Sequence, residues 1–252
     1  MPAASPFARI TALVLAAGRG TRMRSPLPKP LVPLAGRPLV AHLLDAIQEA
    51  GISRTVLVVG HGAELVREAL GPGHAWALQE PQFGMAHAVE VARDAVGDAP
   101  LVFVSVGDSP LLRAETIRRL LHHHLETRAA CSFLTALFPE PPPYARVIRD
   151  GEGRLRACVE ERDASPEERE VRELLSSHYL FEAESLWSGL PGIRPHPVTG
   201  ERYLTDILAL LLARGARVAP LCVDDWRELV GLNTPEELAW AEGLLAGRGG
   251  RT

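Results

Sequence analysis

The stretch Ile10-Thr-Ala-Leu-Val-Leu15-Ala16-Ala17-Gly18-Arg-Gly20-Thr-Arg22-Met-Arg24-Ser-Pro-Leu-Pro28-Lys29-Pro30 decides the fold. Its opening is an apolar run of strand length without polar alternation, the pattern of a strand covered on both faces. Leu57-Val58-Val59 repeats that pattern. The run ends in a glycine turn, where Gly18 and Gly20 let backbone N–H groups approach an anion with no Cβ in the way. Arg22 and Lys29 add positive charge to the same loop. Ligands of open α/β sheets bind outside the carboxyl ends of the strands, where this loop would stand.

Outward from this loop, short β-rich runs alternate with segments of helical period: Ile10–Ala16 then Leu39–Ala50, Thr55–Val59 then Ala63–Leu70, Ala75–Leu78 then Ala86–Val96, Leu101–Val106 then Ala114–Thr127. Such alternation predicts a doubly wound, mostly parallel, Rossmann-like α/β sheet with helices on both faces. After Cys131–Phe138 the prolines of Pro139 to Pro143 break the rhythm. Arg146–Arg149 and Arg154–Val159, joined by Asp150-Gly151-Glu152-Gly153, read as a β-hairpin. The polar segment Glu160 to Glu173 contains Ser165-Pro166-Glu167-Glu168, an N-cap followed by Pro and an acidic first turn. Together these make a small hairpin and helix insertion over the sheet edge. A strand (His178–Phe181), a helix (Tyr203–Ala213), a strand (Arg217–Val223) and a helix capped by Thr234-Pro235-Glu236-Glu237 follow. With no repeat or linker, residues 1–252 read as one domain, with a core of about 8–235, a closing helix of about 235–247 and a frayed tail from Gly247 to Thr252.

The chain has 252 residues, 46% of them hydrophobic, a net charge of -4 and a pI near 6.2. This balance gives no basic footprint for nucleic acid. Cys131, Cys158 and Cys222 stand far apart, are odd in number and lack a CxxC spacing, so neither a disulfide framework nor a zinc knuckle is indicated. Met1 to Arg9 has no signal-like apolar region, and no apolar run approaches the ~20 residues that span a bilayer. A cytoplasmic protein without membrane contact is expected; its oligomeric state is left open. Of 27 basic residues only Lys29 is lysine. Arg cannot imitate a compact, strongly hydrated point charge, so the lone Lys marks a place where that difference counts.

Walker A needs Gly-Lys-Ser/Thr, and the third glycine of a dinucleotide fingerprint is here Met23, so kinase and dehydrogenase readings lose their support. Asp108, at the end of Leu101–Val106, is a carboxylate placed to hold Mg²⁺ against phosphate oxygens. His122-His123-His124 point about 100° apart on a helix and cannot converge on one ion; a solvated helix face is expected. Arg118-Arg119 reads as surface charge.

The opening loop resembles the signature L-A-A-G-x-G-T-R-M-x-S-x-L-P-K of the sugar-1-phosphate nucleotidylyltransferases, and most closely the domain that makes UDP-N-acetylglucosamine from N-acetylglucosamine 1-phosphate. Further matches run through nearly the whole chain: Pro33-Leu-Ala-Gly36-Arg-Pro38, Gly60-His-Gly-Ala-Glu64, Gln79 with Gly84-x-Ala-His-Ala88, Gly107-Asp108-Ser-Pro-Leu111, Val159-Glu160-Glu-Arg-Asp-Ala164, Tyr203-Leu-Thr-Asp206 and Gly231-Leu-Asn233. The resemblance implies nucleotide contacts at Leu15, Ala16, Ala17, Gly18, Gly20, Gln79, Gly84 and Met85. It also implies acceptor contacts at Ala145, Glu160 and Leu175, Asn233 as second metal ligand beside Asp108, and catalysis by Arg22, Lys29 and Asp108. Met85 stands where the family usually has a base-contacting Thr, Tyr144-Ala145-Arg146 replaces Tyr-Gly-Arg, and Glu173-Leu174-Leu175-Ser176-Ser177 replaces Glu-Ile-Asn-Thr-Gly. The acceptor pocket is therefore the part that transfers least.

In-line attack by an acceptor phosphate on the α-phosphorus of an NTP, with Mg²⁺ and loss of pyrophosphate, is the implied reaction. A phosphate monoester is already anionic and needs no Ser, Cys or His nucleophile; positioning and charge stabilisation supply the acceleration. The bifunctional relatives continue into an acetyltransferase β-helix, so acetyl transfer is not expected from these residues. Two alternatives remain: a nucleotidyltransferase with a non-sugar phosphate acceptor, and a non-catalytic nucleotide-sugar-binding regulatory protein.

Overall fold

The computed structural model describes Phe7 and residues 9–249. In chain order the elements are β1 (Ile10–Leu15), β2 (Pro33–Leu34), β3 (Arg37–Pro38), α1 (Leu39–Glu49), β4 (Arg54–Val59), α2 (Ala63–Leu70), β5 (Ala75–Leu78), α3 (Met85–Val91), α4 (Arg93–Val96), β6 (Leu101–Val106), α5 (Ala114–Thr127), β7 (Cys131–Leu137), β8 (Ala145–Arg149), β9 (Leu155–Val159), α6 (Pro166–Arg169), β10 (Glu173–Glu182), α7 (Ala183–Gly189), α8 (Asp206–Ala213), β11 (Val218–Val223) and α9 (Pro235–Gly249). The main sheet runs β5-β4-β1-β6-β10-β7-β11, with the β8–β9 hairpin joined to β10. β1 pairs in parallel with β4 and β6, and only β10 opposes its neighbours β6 and β7. The mostly parallel α/β architecture is the expected one.

Unbroken apolar runs fold into β1 because both of its faces are covered. Ile10, Ala12 and Val14 join the core that holds Val40, Leu43, Ile47 and Ile117, while Leu13 joins the opposite core with Val89, Ile207 and Leu208. In β4 the same split sends Leu57 and Val59 one way and Val56 and Val58 the other. From β1 the chain moves to β4 and β5 on one side and returns to β6 on the other. The crevice beyond the carboxyl ends of β1 and β6 is thus the topological switch point, the place where open α/β sheets take ligands. A third, smaller core of Met23, Val32, Leu34, Leu39, Leu111, Leu232 and Ala241 packs α9 beneath the loops bordering that crevice.

Several elements differ from the sequence expectation. The helix expected over Ala86–Val96 is two, because at Ala92 the backbone N–H turns back to the Val89 carbonyl. β10 starts at Glu173 rather than His178. Its first residues pair with β7 and β8 ahead of a register shift containing Ser177 at φ 66°; Arg149 neutralises Glu173 and the Thr135 hydroxyl donates to it. α8 starts at Asp206, not Tyr203, after a turn. The β2–β3 hairpin and α7 were not anticipated. The capping box at Ser165 and Glu168 is present. The tail expected from Gly247 is helical as far as Gly249, since Leu244 and Leu245 hold the end of α9 against the third core; residues 250–252, like residues 1–6 and 8, lie outside the described residues.

The His122–His124 expectation also needs correction. His124 falls on the same face as Ile117, Leu120 and Leu121, is buried, and meets the Ser132 hydroxyl with Nδ1 at 2.9 Å. Burial pushes its imidazole from the ordinary 6.5 down to about 4, and does the same to His178. The neutral rings belong to the native state. As pH falls below about 6.5 the unfolded chain binds protons that the native chain refuses, so stability is full above that pH and declines toward pH 4. The unfolding midpoint should drop across this window, and His124→Gln should flatten part of the drop. A profile identical to wild type would refute the account.

Candidate active site

Gly20 takes a left-handed conformation at φ 63° and starts a single 3-10 turn, Thr21–Met23. An added Cβ there would stand 2.5 Å from Cβ of Lys29. Gly20 thus makes room for the lysine stem. Buried Pro28 and Pro30 flank Lys29, whose backbone opens another 3-10 turn, with Leu31 N–H donating to the Pro28 carbonyl at 2.8 Å. The two prolines restrict the backbone on either side of a side chain that is 12% exposed.

Lys29 Nζ donates to Asp108 Oδ2 in an ion pair and to Asn233 Oδ1 at 2.7 Å. Arg22 donates to the same Asn233 oxygen at 3.0 Å. The four side chains therefore meet at one point, although Arg22 and Asn233 are 211 residues apart in sequence. Backbone contacts hold the arrangement. Gly107 N–H donates to Leu15 carbonyl at 2.9 Å, tying the ends of β6 and β1, and Leu232 N–H donates to Asp108 carbonyl at 2.8 Å. Asn233 Nδ2 donates to Gly231 carbonyl at 2.8 Å, which aims Oδ1 at the cations. Glu237 on α9 accepts from the N–H groups of Asn233 and Thr234 and closes the helix cap. Gly231 N–H donates to the Tyr144 hydroxyl, whose ionisation burial pushes up to about 12.

Two clefts flank this point. One, of about 300 Å³, is lined by Leu15, Ala16, Ala17, Gly18, Lys29, Gln79, Gln82, Gly84, Met85 and Asp108 among others. Gln79 is buried, and its Nε2 donates to the Gly84 carbonyl at 2.9 Å. Gln82 Nε2 donates to the Ala17 carbonyl, bracing the glycine loop; nothing in the sequence had marked it. Gly84 has φ +90°, and a Cβ there would lie 2.6 Å from the Arg202 carbonyl oxygen. Gly84→Ala is expected to cost on the order of 2 kcal/mol in stability and to weaken NTP binding at least about tenfold. Thermal unfolding and calorimetric titration with UTP would check this, and an unchanged Kd would refute it.

The second cleft, of about 490 Å³, is lined by Arg22, Asp108, Tyr144, Ala145, Glu160, Leu175, Ser176, Glu201, Tyr203, Thr205 and Asn233 among others. Ala145, Glu160 and Leu175 thus share one wall system, with Ala145 and Leu175 almost completely buried. Glu160 Oε1 accepts from the Thr205 hydroxyl at 2.6 Å, and desolvation raises its carboxyl above the ordinary value against that hydrogen bond. Tyr203 and Thr205 belong to the quoted Tyr203-Leu-Thr-Asp206 match, but Glu201 had no signal beyond its proximity to it. Arg146 is structural: its guanidinium donates to the Pro142 and Tyr144 carbonyls and shapes the rim.

No group of three or more His, Cys, Asp or Glu able to hold a metal occurs among the described residues. Asp108 Oδ2 and Asn233 Oδ1 nevertheless converge on a single cationic nitrogen. Two hard oxygens so placed suit Mg²⁺, which takes few protein ligands and completes its shell with water and phosphate.

Comparison with known proteins gives the family. The MobA-like NTP transferase domain family matches residues 12–219. The Bifunctional protein GlmU of Heliobacterium modesticaldum is 41% identical over 239 residues, covering 94% of this chain and 52% of that protein. GlmU of Pelotomaculum thermopropionicum is 44% identical over 241 residues, covering 95% and 52%. The chain spans about half the length of these curated relatives. A Bacillus anthracis crystal structure assigned as a glucose-1-phosphate thymidylyltransferase, in complex with a sucrose, superimposes with a TM-score of 0.76 at 20% identity, over 93% of this chain and 94% of that one, and shows the shared fold. No helix among the described residues is long and apolar enough to cross a membrane. The chain belongs to the MobA-like NTP transferase domain family and is a nucleotidyltransferase.

Proposed function

We propose that the chain transfers the nucleoside monophosphate of an NTP, with UTP the preferred donor, to a sugar 1-phosphate such as N-acetylglucosamine 1-phosphate or a related sugar, releasing pyrophosphate. The observation that carries this reading is the meeting of Arg22, Lys29, Asp108 and Asn233 between two clefts at the sheet's switch point. The cleft bearing Gly18 and Gln79 takes the nucleotide, and the cleft bearing Ala145, Glu160 and Leu175 takes the acceptor.

Gln79 supports the base preference. With Nε2 committed to Gly84, its carbonyl oxygen is left to accept. Uracil offers an imino N–H to such an acceptor, whereas cytosine and adenine present an unprotonated ring nitrogen. The Ala16 N–H is spent on the Val58 carbonyl, so the backbone N–H groups of Ala17 and Gly18 are the ones that donate to phosphate oxygens, and Arg22 and Lys29 neutralise charge as pyrophosphate departs. Asp108 and Asn233 would hold Mg²⁺, which when bound offsets phosphate charge. The acceptor's phosphate, already anionic, is its own nucleophile and needs no side-chain nucleophile.

Pyrophosphate release measured over four NTPs, dTTP and about a dozen sugar phosphates tests the reading. Turnover should be highest with UTP and an aldose 1-phosphate, and should vanish with EDTA. NTP binding without release from any pair would support the regulatory-protein alternative instead.

A further inference from the structure

The two clefts are separated by a partition, and Gly84, Met85, Val106, Asp108 and Glu201 line both sides of it. Only two of these carry polar side chains. Asp108 is engaged by Lys29. The Glu201 carboxylate has no hydrogen-bond or ion-pair partner among the described residues.

Glu201 is nonetheless held firmly by its backbone. His196 N–H donates to its carbonyl at 2.8 Å, and its own N–H donates to Thr199 Oγ1 at 3.3 Å. The next residue is a clamp. Arg202 donates its N–H to the Phe83 carbonyl at 2.9 Å and accepts from Ala86 N–H at 3.0 Å. Its guanidinium reaches the Leu190 carbonyl at 2.8 Å, the Ile193 carbonyl at 3.3 Å and the Glu90 carboxylate. Close docking of the Arg202 carbonyl is what the missing side chain of Gly84 permits. The clamp therefore fastens Glu201 to the segment that also carries the Gly84 carbonyl bonded by Gln79.

We propose that Glu201 reads the ribose of the nucleotide, accepting hydrogen bonds from its vicinal 2′- and 3′-hydroxyls, and so makes the enzyme select ribonucleotides over 2′-deoxyribonucleotides. A carboxylate accepts only, and two adjacent hydroxyls supply the matching pair of donors. The ribose is the bound part lying between the base, at Gln79, and the phosphates, at Lys29, and Glu201 lines that cleft from the acceptor side. The acceptor's own hydroxyls have a separate carboxylate in Glu160, which Glu201 does not duplicate. This inference rests on the nucleotide-cleft assignment made above and adds the residue that discriminates the sugar of the donor.

The test compares equilibrium binding of UTP and 2′-deoxyuridine 5′-triphosphate, with Mg²⁺ present, to wild type, Glu201→Gln and Glu201→Ala. Wild type should bind UTP about tenfold more tightly. Glu201→Ala should bring the two Kd values within about twofold of each other by weakening UTP alone, with Glu201→Gln intermediate. An unchanged deoxynucleotide Kd and melting temperature would show that the loop remains in place. Equal weakening of both nucleotides would overturn the inference in favour of a loop-building role. An unchanged UTP preference accompanied by a raised KM for the sugar 1-phosphate would overturn it by giving the carboxylate to the acceptor. If wild type distinguishes the two nucleotides through Glu201 but releases no pyrophosphate with any acceptor, the inference stands and the transfer reading falls. If neither nucleotide binds, both fall.

Discussion

Lys29→Ala is expected to lower kcat by about three orders of magnitude while leaving the fold intact. Its ammonium touches both Asp108 and Asn233, and among the described residues no other side chain donates to both oxygens. Alanine leaves the oxygens of Asp108 and Asn233 with Arg22 as the cation that remains bonded there among the described residues, which under the proposed reading must alone offset the triphosphate. Lys29→Arg should not rescue. The stem passes over Gly20 with no spare volume, and a planar fork cannot replace a point charge between two oxygens. Pyrophosphate release under saturating substrates, with circular dichroism and melting temperature as fold controls, checks this. Turnover within tenfold of wild type would remove Lys29 from the chemistry. Little stability should be lost, because the partner carboxylate is 24% exposed and can recover hydration.

Asp108→Asn is expected to lower kcat by about two to three orders of magnitude through the metal rather than the fold. The substitution keeps the size of the side chain and leaves untouched the bond from Leu232 N–H to the main-chain carbonyl of residue 108. The anionic charge that would attract a hard dication is lost. Affinity for Mn²⁺ in the presence of UTP, followed by electron paramagnetic resonance, should fall at least tenfold in parallel with kcat. A large loss of kcat with unaltered Mn²⁺ affinity would mean that Asp108 acts by holding Lys29 instead.

The parts of this arrangement that were legible in sequence are those imposed by covalent and local constraints. An unbroken run of Ala12 to Leu15 can only be a strand buried on both faces, and glycines followed by a proline-framed lysine announce a loop shaped for an anion. Paired substitutions were harder. Glu173 looked like the end of a polar insertion because its ion-pair partner Arg149 and its hydrogen-bond donor Thr135 come from other strands. His124 looked solvated because its hydrogen bond to Ser132 depends on how α5 lies on β7. Glu201 carried no signal, since its position follows from Arg202 clamping onto Gly84, a contact between segments more than a hundred residues apart. Local physics reveals which residue types are available at a crevice; the tertiary contacts decide which of them face it.

A protein whose single ε-amine sits between Asp108 and Asn233 contains its own spectroscopic label. Selective ¹⁵N enrichment of lysine would give one side-chain resonance from these 252 residues, and that resonance belongs to the nitrogen lodged between Asp108 and Asn233. Amine-directed acylating reagents likewise meet one side chain here, 12% exposed, so acylation located at Lys29, as distinct from the α-amino group, would report how open this crevice is.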